Sequence, residues 1–253
     1  MFPHVTFLQL TLYDWFLVLA AISALVVARI YADKLHIRPR LQNYGILSAV
    51  AAILAGYGFA VLFQAVYNAV EEGTFSLGLE TGATFYGGLI GGAGLYFALW
   101  FTLGRKLCGQ EVFTHFGDLL GIAACAIAFA HGVGRIGCLF AGCCYGVQTD
   151  SWIGIYLESV GAKVVPTQLM EAVFLFLLFA LLTVMLFRVK RVNGMFVYLT
   201  AYGAFRFIIE FWRDDGRGAL IPGLSPSQVW SVLLFLLGAA MILFSLLRKR
   251  KLE

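Results

Sequence analysis

Residues 166–187 read PTQLMEAVFLFLLFALLTVMLF, long enough as a helix to cross a bilayer core, which takes about 20 residues. The apolar residues leave no polar stripe, as in a helix with lipid or other helices on all sides. Yet the first turns carry Gln168 and Glu171, three residues apart and so able to share one face. An ionisable group inside a span costs about 2.5–3.5 kcal/mol on insertion scales. This one segment therefore sets both the solvent of the chain and the region in which its chemistry is to be sought.

The same length test applied outward gives six more candidate spans, at 12–32, 44–67, 83–103, 115–134, 194–212 and 227–247. Composition agrees. The 253 residues are 61% hydrophobic and 13% charged, with a mean hydropathy of +0.87, whereas a soluble domain has about 45–50% and about 25%. A water-soluble fold is excluded, and the expectation is an all-α integral membrane protein of seven transmembrane helices. Residues 1–253 read as a single polytopic domain, with 138–165 as an outside loop or cap between spans four and five. The N-terminus lacks a signal peptide's positive flank and cleavage site, so span one is expected to be retained.

The cations divide unequally between the two sets of connections. One set holds Arg29, Lys34, Arg38 and Arg40, then Arg105 and Lys106, then Arg188, Lys190 and Arg191, and finally Arg248 to Lys251. The other set, with Arg135 and Arg206 set aside, holds Lys163, Arg213 and Arg217. The positive-inside rule then places the N-terminus outside and the C-terminus in the cytoplasm. Topology accounts for the net charge of +4, so no nucleic-acid partner is implied.

The costly residues gather toward one side. Arg135 ends span four in HGVGRIGCLFAGCCYG (131–146), and Arg206 and Glu210 lie four apart in YGAFRFIIEFWRDD (202–215). Gln228 opens span seven, Tyr86 lies near the start of span three, and Tyr13 with Asp14 opens span one. With the orientation above, a polar cavity open to the outer leaflet is expected. Arg206 and Glu210 suit an intrahelical ion pair. Arg135 has no carboxylate at helical spacing in its own span; it must draw on Glu171 or Glu210, snorkel to the interface, or bind an anion. Two guanidinium forks facing one cavity suit a phosphodiester, whose oxygens they can hold bidentately. Gly132, Gly134 and Gly137 flank Arg135, and Gly142 and Gly146 bracket the cysteines. They read as broken helix lining that cavity. Gly91, Gly92 and Gly94 read as small residues for helix packing.

Of five cysteines, Cys125 sits mid-span, where an inert small residue is expected, and Cys108 reads as a free cytoplasmic thiol. Cys138, Cys143 and Cys144 form a C-x4-C-C cluster beside Arg135. Three readings are open: a disulfide from Cys138 to Cys143 or Cys144, a reactive thiol acting as nucleophile or redox group, or a metal site. The spacing matches no standard zinc pattern, and neither a metal nor a cofactor is expected.

At this point the chain resembles the prolipoprotein diacylglyceryl transferase family. The resemblance rests on FYGGLIGG (85–92), FGDLLGIAACAIAFAHGVGRIGC (116–138), PTQLMEAV (166–173), FRFIIEFWR (205–213) and LSPSQVWSV (224–232), in that order. It implies a transferase of the bacterial inner membrane that moves a diacylglyceryl group from phosphatidylglycerol to a thiol such as a prolipoprotein cysteine. The resemblance places Arg135 and Arg206 at the phospholipid, with Glu210, Gln168, Glu171 and Gln228 around them. Tyr13 and Cys138 join the binding set, and Tyr86, Cys143 and Cys144 the candidates for chemistry. The chain departs from the family pattern at four places. Tyr86 stands where a histidine is usual before Gly-Gly, and Cys138 where an asparagine is usual. Ala141-Gly142-Cys143-Cys144 replaces an Asn-Gly-Glu stretch, and Val165 replaces a histidine before Pro-x-Gln-Leu. A tyrosine, with an ordinary pKa near 10, is a poor proton acceptor, and His131 is the nearest alternative base. Two alternatives stand beside this reading: a related lipid-headgroup transferase with another acceptor, a small molecule or a lipid, and a membrane thiol/disulfide redox protein using Cys138, Cys143 and Cys144. A transporter is disfavoured, because the ionisable residues stop in the outer half.

Overall fold

The computed structural model describes residues 6–7, 10–71, 73, 75–78, 81–82, 84–189, 192–213 and 224–250. Among the described residues, seven helices are long and apolar enough to cross a membrane. They divide between two compact units, residues 29–116 and residues 1–28 with 117–253. The apolar surface they leave exposed, such as Leu54 or Phe244, is the kind that faces acyl chains.

The unit of residues 29–116 begins at the end of α1 (Leu12–Lys34) and contains α2 (Pro39–Glu71), α3 (Phe85–Phe101) and the short α4 (Leu103–Cys108) and α5 (Glu111–Thr114). Helices α2 and α3 approach until backbone meets backbone. A Cβ on Gly56 would lie 3.0 Å from the Gly88 carbonyl oxygen, and one on Gly92 3.0 Å from that of Ala52. A Cβ on Gly91 would run into the Phe59 ring, so Gly91 and Gly92 serve packing as expected, whereas Gly94 faces open space. Helix α3 itself ends at Phe101, and after an interruption α4 carries the apolar span on to Cys108, past the expected residue 103. Thr102 breaks the helix after Phe101, and its hydroxyl donates back to the Ala98 carbonyl. Tyr44, Tyr96 and Trp100 pack together below this break, and the Trp100 indole donates to the Val112 carbonyl.

The other unit opens with a hairpin of β1 (Thr6–Phe7) and β2 (Leu10–Thr11), registered Thr6 to Thr11 and Phe7 to Leu10. Helix α1 follows from a reciprocal cap. Thr11 donates its N–H and hydroxyl to the Asp14 carboxylate, and the Asp14 N–H returns to the Thr11 hydroxyl. Helix α6 (Phe116–Ala141) is the most enclosed span, with 39% of its apolar window buried against 11% for α9 (Pro226–Arg250). It runs unbroken through Gly132, Gly134, Arg135, Gly137 and Cys138, which corrects the expected broken helix. Gly132 admits the Phe176 ring of α7 (Thr167–Val184), and Gly137 admits Phe16 of α1. Those two glycines serve helix approach; the irregular backbone starts only at Gly142.

Between α6 and α7 the expected cap is a short antiparallel hairpin, β3 (Ile155–Leu157) with β4 (Ala162–Val164), paired Ile155 to Val164. Helix α7 passes into a π-helical turn at Met185–Val189. Asn193 then caps α8 (Gly194–Ile209), accepting from the Met195 N–H and donating to the Gly117 carbonyl. A 3₁₀ turn, Glu210–Trp212, closes that helix. Helices α8 and α9 pack through one glycine from each. A Cβ on Gly203 would meet the Ser231 carbonyl at 2.7 Å, and one on Gly238 the Phe196 carbonyl at 2.7 Å. By chain direction, the end of α6, the start of α7, the end of α8 and the start of α9 lie on one side.

Candidate functional site

That shared end holds the costly residues of α6 to α9. Gln168 and Glu171 are both 0% exposed on α7, on one face as their spacing required. Arg135, with no carboxylate at helical spacing on its own helix, takes Glu171 from α7, with its Nη2 3.0 Å from Oε1. The Tyr202 hydroxyl of α8 donates to the same oxygen at 2.8 Å. His131, one turn before Arg135, sits 3.6 Å from that oxygen through Nε2 and 3.4 Å from the Tyr198 hydroxyl through Nδ1. The Tyr198 and Tyr202 rings stack, and His131 meets Tyr202 edge-on. One carboxylate thus gathers a cation, a phenol and an imidazole from two other helices.

The second cluster lies on α8 and the start of α9. Arg206, 6% exposed, pairs with Glu210 at 2.6 Å across one helical turn, as the sequence implied. Its Nη2 also donates to the Ser227 hydroxyl at 3.2 Å. Ser225 and Gln228 cap α9 reciprocally: the Ser225 N–H donates to Gln228 Oε1, and the Gln228 N–H donates to the Ser225 hydroxyl. That hydroxyl in turn donates to Glu210 at 2.8 Å, so the cap of α9 holds the counter-ion of Arg206. The side-chain carbonyl of Gln228 is therefore committed to the fold.

The charges of both arginines act on Glu171, which places the two clusters in one electrostatic neighbourhood. Among the described residues, the buried atoms there with no hydrogen-bond partner include Arg135 Nε, Arg206 Nη1, Gln168 Oε1 and Glu171 Oε2. Buried polar atoms are nearly always satisfied, and exceptions call for an explanation such as a ligand or water. The two donors suit an anion, and each sits on a cation already balanced by a carboxylate.

All five cysteines are free thiols in the structure, so the disulfide reading is not realised there. The Sγ atoms of Cys138, Cys143 and Cys144 lie within 4.8 Å of one another. Hydrogen bonds from the Cys138 and Cys143 thiols, with help from Arg213, hold the Cys144 thiol well below the usual range. Its neighbours push the Cys143 thiol well above that range. Tyr13 lies within electrostatic reach of all three cysteines and of Arg135, which places it with this cluster. Tyr86 falls in the first turn of α3, in the other unit, and its side chain lies outside the described residues.

Sequence reasoning passed over Tyr198, Tyr202, Ser225, Ser227 and Thr167. The signals were present. Tyr198, Tyr202, Arg206 and Glu210 recur every four residues on α8, and Ser225-x-x-Gln228 before an apolar run is a capping pattern.

The sequence model of the prolipoprotein diacylglyceryl transferases matches residues 1–244. Phosphatidylglycerol–prolipoprotein diacylglyceryl transferase 2 of Clostridium perfringens is 32% identical over 219 residues, 84% of this chain and 81% of its own. The like-named proteins of Clostridium tetani and Geobacter sulfurreducens are 30% and 32% identical, covering 83% and 79% of this chain and 81% and 76% of their own. On the strength of a match over nearly its whole length, the chain belongs to the prolipoprotein diacylglyceryl transferase family.

Proposed function

We propose that the chain transfers a diacylglyceryl group from phosphatidylglycerol to the cysteine thiol of a prolipoprotein, in a bacterial cytoplasmic membrane with its site toward the extracytoplasmic leaflet. The family and the names of its relatives support the reaction. The observation that carries it is that two buried donors, Arg135 Nε and Arg206 Nη1, have no hydrogen-bond partner among the described residues.

In this reaction the acceptor sulfur forms a bond to a glycerol carbon of the lipid while that carbon's bond to the phosphate ester oxygen breaks. The thiol proton is lost, and glycerol phosphate leaves with the electron pair. Charge builds on the departing phosphate. Two fixed guanidiniums in a site shielded from water stabilise that charge more than they stabilise the bound ester. Glu171 and Glu210 hold the arginines in place, and Tyr202 and Ser225 hold the carboxylates. Neither carboxylate is an idle base, because each already neutralises an arginine. His131, held by Tyr198 beside Glu171, is positioned to accept the acceptor's proton, and Tyr86 is retained as a candidate beside it.

The test is purified protein in phosphatidylglycerol vesicles with a peptide carrying the lipoprotein cysteine motif, read by mass spectrometry. The expected product is the peptide plus one diacylglyceryl group, lost with Arg135→Ala or Arg206→Ala. No adduct with the unaltered protein, or an undiminished adduct with both variants, overturns the reading. An adduct on a small thiol but none on the peptide would assign a different acceptor.

A further inference from the structure

The sequence spacing C-x4-C-C argues against a metal, but the backbone changes the geometry. Helix α6 ends in a Schellman motif: the Cys143 N–H bonds the Cys138 carbonyl, the Gly142 N–H bonds that of Leu139, and Gly142 takes the left-handed conformation at φ 69°. That motif sets the residue after the glycine against the one five before it, here Cys143 against Cys138. Cys144 then also adopts a left-handed conformation, φ 61°, which is uncommon outside glycine. Its thiol thereby joins the other two.

Three successive carbonyls of the turn are pinned from elsewhere. Ser159 donates to that of Gly142, Gln168 to that of Cys143 and Thr167 to that of Cys144, at 2.8, 3.1 and 2.8 Å. A turn held this way in an unfavoured conformation fixes three sulfur atoms before any ligand arrives. Zinc–sulfur bonds of about 2.3 Å put sulfurs about 3.8–4.0 Å apart in tetrahedral or trigonal coordination, and the three Sγ atoms, all within 4.8 Å of one another, need only a small shift to reach it.

We propose that Cys138, Cys143 and Cys144 form a three-thiolate site for a thiophilic closed-shell cation of the Zn²⁺ or Cu⁺ class. Binding exchanges whatever protons the three sulfurs still carry for three metal–sulfur bonds, with no change of oxidation state. Arg135 and Arg213 lie within electrostatic reach and offset the resulting negative charge. No further His, Cys or carboxylate joins the group among the described residues, which leaves one coordination face for another ligand.

The full chain, purified in detergent, reduced and stripped of metal, is titrated without oxygen with Zn²⁺ and separately with Cu⁺. Bound metal is counted after gel filtration, and maleimide labelling reads the free thiols. One equivalent of either cation per chain, with labelling of these three cysteines slowed at least tenfold and Cys108 unaffected, supports the site; the tighter cation identifies its class. The triple serine variant should lose that equivalent, and Cys108→Ser should keep it. No stoichiometric metal, equal binding by the triple variant, or unslowed labelling of the unaltered chain overturns the site. Since the readout is metal and thiol protection, the result is independent of diacylglyceryl transfer.

Discussion

At the scale of single residues, the position of Glu171 explains why Arg135 can exist inside a span. Its carboxylate is fully buried and receives Arg135 and Tyr202 on one oxygen. Removing one partner of such a pair leaves the other charge uncompensated, which costs about 3–5 kcal/mol. Glu171→Leu should therefore lower thermal stability in detergent by that order, as followed by intrinsic fluorescence. A shift within error would mean that Arg135 finds another counter-charge. The geometry of the arginines, beyond their charge, is tested by Arg206→Lys. A lysine keeps the charge and loses the planar fork, and losing one charge-stabilising donor costs about 10²–10³ in rate. The expected outcome is that fall in kcat with a smaller change in KM; unchanged turnover would remove Arg206 from the phosphate. Arg206 with Glu210 could be read directly from a spacing of four. Arg135 with Glu171 could be read only as one of two options, since its partner is on another helix. Tyr86 remains legible as a motif position alone.

At the scale of elements, helix approach depends on particular glycines, and these were the hardest positions to interpret from sequence. Gly132 and Gly137 looked like breaks near a site, yet each receives an aromatic side chain of another helix while α6 stays regular. A run of glycines looks the same whether backbone is bent or merely approached, so the sequence alone does not distinguish the two. Gly203 supplies a sharp test. Its missing Cβ would fall 2.7 Å from the Ser231 carbonyl and 2.8 Å from the Phe235 nitrogen, both backbone atoms of α9. Gly203→Ala must push α8 away from α9, with a loss of about 1–3 kcal/mol from overpacking. Because α9 carries Ser227 and the cap that holds Glu210, KM for lipid should rise in the same variant. A stability loss with KM unmoved would separate the packing from the site. The hairpin of β3 and β4 was legible only as an undefined cap, because strands of three residues carry too little alternation to read.

At the scale of the whole molecule, composition alone fixed the solvent, and seven apolar runs fixed the helices to within a few residues at most ends. The widest departures are α2, which runs from Pro39 to Glu71 where 44–67 was expected, and α6, which runs on to Ala141 where 134 was expected; in α2, polar residues such as Asn43 and Asn68 lie in the helix but outside its apolar stretch. Orientation rests on the cation distribution and is open to a direct check. Ser151→Cys in the exposed loop before β3, in a chain otherwise free of cysteine, should react in whole cells with a membrane-impermeant maleimide. Val192→Cys, at the opposite end, should react only after lysis. The reverse pattern would invert the topology and turn the arginine cluster toward the cytoplasm. Legible or not at each step, the intramembrane arginines end up paired with carboxylates in two ways: Arg135 has Glu171, whereas Arg206 shares Glu210 with Arg213, whose Nε lies 3.7 Å from that carboxylate. A transmembrane voltage acts on net charge, at about 2.3 kcal/mol per elementary charge per 100 mV; the couple of Arg135 and Glu171 sums to zero, while Arg206, Arg213 and Glu210 together keep one positive charge. An energised membrane therefore finds almost nothing to pull upon in the first group, and any response of turnover to polarisation belongs to the second.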